Sequence, residues 1–304
     1  MTAPERTGEP AALPRVRPAA PTIDLPLPMV AEHEAIEETA ETDWFRAASP
    51  EVVAATGLRV EDQDSARLYL MPHVDVLIFN RAVGIGIRRP ATEDDIDRIV
   101  ASYRDLGVSR FVVSISPAAK PVAIASWLEA RGFRRHNACV KLHRETERMP
   151  EVATMGVRVE EIGPDRALEF GKIVQTGFSM TDVAGEWVGL TVGRSGWRHY
   201  LALDGTKPVA AAAMHLRGSW AWFGFMATLE EARGRGAQSA LIARRIHDAH
   251  EAGVRWLSVE TAEDTPERDA PSFRNVLRQG FQVAYVRPNW LWKEPGPVSE
   301  AGPR

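Results

Sequence analysis

The stretch Trp220 to Ser239, WAWFGFMATLEEARGRGAQS, decides how the rest of the chain is read. Trp220 to Thr228 is an apolar run of strand length, and the turn Arg233-Gly234-Arg235-Gly236-Ala237-Gln238-Ser239 opens a helical pattern closed by Gly253. The start of a helix presents backbone N–H groups without partners and carries a partial positive charge. Glycines let an anion approach that backbone with no Cβ in the way, and Arg233 and Arg235 add charge-assisted donors. Without a strand before it and a helix after it, such a turn would be weak evidence of a site. The plainer reading is a surface turn in which glycine serves geometry and arginine serves solubility.

Working outward, the chain repeats itself. After the helix come Trp256 to Val259 and a second helix ending at Gly280-Phe281. In the first half, Val76 to Ile87 leads to a helix from Thr92 to Leu106, closed by Gly107, then to Phe111 to Ile115 and a helix ending at Gly132-Phe133. Gly107 precedes Gly253 by almost the interval that separates the two Gly-Phe pairs, so the register holds. Duplication of one α/β unit accounts for this. Alternating strands and helices imply parallel pairing at the centre of each unit, while Arg198 to Leu203, Pro208 to Leu216 and Trp220 to Thr228 read as an antiparallel meander. Where the second half has its Gly-rich turn, the first reads Arg88-Arg89-Pro90-Ala91-Thr92-Glu93-Asp94-Asp95. Thr92 is placed as an N-cap there, and three carboxylates neutralise the helix's positive pole and repel phosphate. One half is suited to an anion and the other is not.

Two domains suit 304 residues, and a composition of 44% hydrophobic and 26% charged residues is that of a globular protein. The net charge of -4 offers no basic stripe for nucleic acid. Cys139 is the sole cysteine, so no intramolecular disulfide forms; it reads as a small buried hydrophobe. No apolar run approaches the length that spans a bilayer, and Met1 to Pro28 lacks the apolar core of a signal peptide; a cytoplasmic protein is expected. The expected organisation is a disordered Pro/Ala-rich tail at 1–28, a degenerate domain at 29–148, an active domain at 156–295 and a frayed end at 296–304. The seam falls in Glu145 to Met155.

These residues, Met226-Ala227-Thr228, then Arg233-Gly234-Arg235-Gly236-Ala237, then helix, strand and Gly280-Phe281, resemble the GNAT N-acetyltransferase superfamily across the second half. The resemblance implies two tandem GNAT-like domains, each a mixed α/β sheet flanked by helices, the first degenerate. It implies that Met226, Ala227 and Thr228 hold the pantetheine arm of acetyl-CoA and that Arg233, Gly234, Arg235, Gly236, Ala237, Gln238 and Ser239 hold its pyrophosphate. Gln238 stands where the family has Gly or Ala, and Val276 where many members carry the Tyr that protonates the thiolate.

Attack by an amine on a thioester needs a deprotonated amine and a protonated leaving thiolate. Glu260, at the end of an inner strand, is the candidate base, and Ser272 and Asn275 are polar groups able to face the sulfur. Glu260 equally suits a structural role, pairing with a neighbour such as Arg274. His215, Trp220 and Trp222 could wall a pocket, although aromatics on strands are more often core. Asp182, Glu186 and Trp187 fall in the segment that shapes the acceptor site in the family; a solvated loop is the alternative. His247 and His250 lack metal-ligand spacing, so no metal is expected. The expected activity is acetyl transfer from acetyl-CoA to a primary amine of a small-molecule or amino-acid-like acceptor, without nucleic-acid or membrane partners; a homodimer is left open. The rivals are a non-catalytic acyl-CoA-binding or regulatory protein and a transferase using an aminoacyl-tRNA donor.

Overall fold

The computed structural model describes residues 20–150, 156–266 and 268–294. In chain order its elements are α1 (Leu27–Arg46), α2 (Pro50–Thr56), β1 (Arg59–Gln63), β2 (Ala66–Leu70), β3 (Arg81–Val83), α3 (Glu93–Asp105), β4 (Arg110–Ser114), α4 (Ile124–Ala130) and β5 (Arg134–Glu145). The second half continues with β6 (Val157–Ile162), α5 (Ala167–Phe178), α6 (Asp182–Gly189), β7 (Trp197–Asp204), β8 (Lys207–Arg217) and β9 (Trp220–Thr228). It ends with α7 (Ala237–Glu251), β10 (Trp256–Ala262), α8 (Pro271–Arg278) and β11 (Gln282–Lys293). The duplicated unit stands out in the topology: β3 pairs parallel with β4, β9 pairs parallel with β10, and β6 to β9 form the expected meander.

The halves trade their last strands. All eleven strands lie in one mixed sheet, in the order β1-β2-β3-β4-β11-β5-β10-β9-β8-β7-β6. β5 lies antiparallel to β10 and β11 antiparallel to β4, so each half completes the other's sheet and the two exchanged strands pair in the middle. One hydrophobic cluster is correspondingly shared, with Ile36 and Trp44 of α1 packed among Phe170, Trp187, Trp220 and Trp222. Trp44 stacks on Trp187 at 4.3 Å between ring centroids, and the Trp187 indole donates to the Trp44 carbonyl at 2.9 Å. On the opposite face Leu241, Ile246, Phe273 and Val276 of α7 and α8 cover Phe223, Leu257 and Val259.

Several expectations are corrected. Residues 1–19 and 295–304 lie outside the described residues, but residues 20–28 are ordered: backbone bonds Ile23 N to Val283 O and Val283 N to Pro21 O tie them to β11, and α1 has begun by Leu27. The strand expected over Val76 to Ile87 shrinks to β3, because Asn80 bonds the Met71 and Val74 backbone and Gly84 and Gly86 take positive φ of 70° and 71°. Helix α1 escaped sequence reading because its buried side holds His33, Glu34, Glu37 and Glu41 beside Ile36 and Ala40, which erases the apolar stripe.

Since β10 and β11 rely on β5 and β4 for partners, the isolated segment 156–294 is expected to show no cooperative melt by circular dichroism, and mixing it with segment 20–150 is expected to restore one. A sharp transition in the isolated segment would show that the exchange is dispensable.

Candidate functional site

A slot opens in the sheet at the end of β9. Pairing between β9 and β10 stops at Phe223↔Val259, while β9 runs on to Thr228 and β10 to Ala262. The divergence has a local cause. β9 bulges against β8 between the pairs Ala213↔Gly224 and Ala211↔Ala227, with Phe225 at a φ of 48° that costs an L-residue energy. Arg245, fully buried on α7, donates to the Ala213 carbonyl at 2.9 Å and lies over the Phe223 ring, bracing the bulge. On the other face Gly177 of α5 fits against Ala227, where a Cβ would come within 2.7 Å of the Ala227 side chain.

The Gly-rich turn sits at the open end of this slot. Gly234 and Gly236 adopt φ of 77° and 82°, a region that side chains other than glycine rarely enter. Gly236 is the N-cap of α7, with no side-chain cap and no acidic residue in the first turn, so the helix's positive end is left uncompensated. Arg235 pairs with Asp204 at the surface, and Arg233 makes no ion pair among the described residues. Gln238 donates to Ser272 at 3.0 Å and accepts from Asn275, which in turn accepts from Arg278. The departure from Gly or Ala at position 238 is therefore a bolt between α7 and α8. Beside it lies a cavity of about 830 Å³ lined by Gly236, Ser239, Ala243, Arg144, Arg278 and Gln279 among others.

The corresponding place in the first half is closed. Thr92 and Asp95 form a reciprocal capping box at the start of α3, Glu93 and Asp94 complete an acidic first turn, and Arg89 binds Asp95. The gap beyond the last β3–β4 pair is stitched by its own chain: Lys120 N donates to Gly86 O at 2.9 Å and Ala91 N to Lys120 O at 2.8 Å.

Glu260 faces away from Ser272 and Asn275, on the α1 side of the sheet. Its carboxylate meets Arg287 and lies 3.3 Å from Lys141, inside a buried group that also contains Glu34, Glu37, Glu41 and Arg81. Burial pushes the Glu260 carboxyl up, but attraction by Arg287, Lys141 and Arg81 outweighs it and holds the group well below the usual carboxylate range. Desolvation lowers Lys141 to about 8 and raises Glu41. Glu260 remains 18% exposed, the one solvent-reaching tip of a sealed network. Arg274, the neighbour weighed as its partner, pairs with Asp264 and Asp269 instead.

The remaining candidates are mostly framework. Trp220, Trp222 and His215 are buried, Trp187 is core, Asp182 accepts from Gln175, and Val276 is 1% exposed on the inner side of α8. Burial pushes the Cys139 thiol up to about 12, in keeping with an inert residue. Arg245 and the α1 carboxylates were missed; a lone Arg in an apolar helical stripe, and Glu34, Glu37 and Glu41 at helical spacing, were the available signals.

No family model and no curated protein sequence matches this chain. Solved structures do. A GCN5-related N-acetyltransferase from Kribbella flavida is 16% identical, with a TM-score of 0.60 over 88% of this chain and 96% of that one. A tandem GNAT protein from the clavulanic acid biosynthesis pathway is 18% identical, with a TM-score of 0.57 over 89% and 96%. A GCN5-related N-acetyltransferase from Sphaerobacter thermophilus is 15% identical, at 0.57 over 78% and 83%. The chain thus has the fold of the GCN5-related N-acetyltransferases, in its tandem form. Among the described residues no helix is long and apolar enough to cross a membrane.

Replacing Glu260 by Gln removes the carboxylate that Arg287 and Lys141 contact at the end of the network, and is expected to cost about 3–5 kcal/mol in urea unfolding at pH 7. Because the folded carboxyl sits below its unfolded value, that stability is present above the ordinary carboxylate range and is lost as pH falls through the folded value. The difference between wild type and Glu260→Gln should therefore shrink on acidification; a gap independent of pH would contradict the ion-pair assignment.

Proposed function

We propose that the second half binds acetyl-CoA in the β9–β10 slot and transfers the acetyl group to a primary amine. The observation that carries this reading is an uncapped, acid-free helix start with two positive-φ glycines at the mouth of a slot between parallel strands. Backbone N–H groups of Gly234 to Ser239 suit a pyrophosphate, Arg233 can close on it, and the main chain of Met226 to Thr228 borders the path of a pantetheine arm. The cavity beside α7, with Arg144 and Arg278 in its lining, has room for a nucleotide end. Acetyl-CoA supplies the activated acyl carbon. In the net reaction the amine nitrogen bonds that carbon, the carbon–sulfur bond breaks, and the proton lost by the amine is balanced by the one gained by the thiol.

In this reading Glu260 is an electrostatic residue. A carboxylate kept ionised by Arg287, Lys141 and Arg81 is a weak base at pH 7, yet its exposed edge attracts a substrate ammonium to the slot. Its proton then leaves to water. Ser272 and Asn275 brace the helix start through Gln238, and with Val276 buried the thiolate takes its proton from solvent. A valine at position 276 in place of a side-chain acid favours one alternative, a protein that binds acyl-CoA without turning it over.

Titration calorimetry with acetyl-CoA is expected to give micromolar binding that Gly236→Glu weakens at least about 100-fold, since the variant sets a carboxylate and a strained φ where phosphate binds. Thiol release with an amine panel then separates a transferase from a binder. Absence of acetyl-CoA binding by the wild type would overturn both.

A further inference from the structure

The exchanged strand β5 reaches beyond its neighbour. Its last pair with β10 is Cys139↔Ala262, after which the second half's chain leaves the sheet, while β5 extends through Ala138, Asn137, His136, Arg135 and Arg134. On one side that extension pairs with β11, at Asn137↔Asn289, Arg135↔Trp290 and Arg134↔Leu291. Along its other side no described strand pairs with it. Arg134 to Asn137 are all exposed, on a strand whose residues from Val140 to Arg144 are buried, and neither arginine has an ion-pair partner among the described residues. Among the described residues the result is a strand edge without a paired neighbour, carrying Arg134, Arg135 and His136, at the end of β10 where the β9–β10 slot opens; Glu263 and Asp264, which follow Ala262, lie at its inner end and the two arginines at its outer end.

Direction and charge together say what such an edge accepts. A segment lying in the vacant lane beyond Ala262 would follow the line of β10 and run antiparallel to β5. Its amino terminus would then lie at the Ala262 end, one strand spacing from the slot and close to the exposed edge of Glu260, and its chain would run outward along Arg134 to Asn137. At about 3.3 Å per residue the extension covers about 13 Å from Cys139 to Arg135, so residues two to five of such a segment would face the two arginines and His136. Main-chain bonds give strand addition its affinity and side-chain complementarity its selectivity. A carboxylate at the amine end and guanidinium groups along the rim form a field that orients a chain carrying an ammonium first and acidic side chains after it.

We propose that the acceptor is the amino terminus of an acidic peptide, docked as an added strand on the β5 edge at Arg134 to Asn137. This rests on the acetyl-transfer reading for its chemistry, while the docking itself can be measured without turnover. The first half, whose own slot is closed, thereby provides the acceptor's platform.

The test uses the full chain and three labelled pentapeptides with the same first residue and with Asp and Glu, Ser and Gly, or Lys at positions two to five. In fluorescence anisotropy at low salt the acidic peptide should bind at least tenfold more tightly than the neutral one, and the lysine peptide should not bind. Arg134→Glu/Arg135→Glu, checked for an unchanged melt, should reverse that order. N-methylation of alternate peptide backbone nitrogens should weaken binding, as expected of strand pairing and not of charge alone. Equal binding of the three peptides, or an order that the double variant leaves unchanged, would overturn the proposal, as would a wild-type edge found to be occupied by a second copy in light scattering. Acidic peptide that binds as described but is not acetylated, while another amine in the panel is, would overturn its role as acceptor; failure of every amine to release thiol would instead sink the transferase reading.

Discussion

The trade of β5 for β11 is the constraint on which the rest of the molecule depends. In each duplicated unit a parallel strand pair needs a further antiparallel partner, and each unit takes that partner from the other. Neither half has a complete sheet without its sister. The exchange also decides what lies around the slot. The strand beside β10 comes from the first half, so Lys141 and the Arg134 to Asn137 extension border a site whose glycine turn belongs to the second.

Helix α1 is the second consequence. Running over the exchanged strands, it must cover Lys141, Arg287 and Arg81, and it does so with Glu34, Glu37 and Glu41. Buried ion pairs of this kind contribute little net stability, because desolvation cancels most of the attraction, but removing one member is costly. Such a network fixes geometry. It sets the register of four strands under one helix and leaves Glu260, on the stretch of β10 beyond its last pair with β9, as the network's most exposed member. The closed first half and the open second half differ by similarly local chemistry: a Thr-Asp box and the Ser116 to Pro121 segment fill one opening, whereas a bulge and two glycines keep the other clear.

The sequence showed the duplicated unit, the meander and the contrast between the two helix starts because each is written in local signals: period-two apolar runs, Gly at helix ends, and acids or glycines in a first turn. The strand exchange was not legible, since nothing in the sequence of β5 or β11 names the neighbour it pairs with. Helix α1 was hidden by its buried carboxylates. Glu260 lies on an inner strand as read from its pattern, but its partners come from Arg287 and Lys141, remote in sequence, and not from Arg274. Ser272 and Asn275, read as groups able to face the sulfur, bond Gln238 at the start of α7, on the opposite sheet face from Glu260.

The most direct measurement of the central claim is hydrogen–deuterium exchange of the full chain with and without acetyl-CoA. The account predicts protection confined to 226–228 and 234–239, with no change at 84–95, where the matching opening is closed. Protection at both places, or only at 84–95, would contradict the assignment of one working slot to the second half.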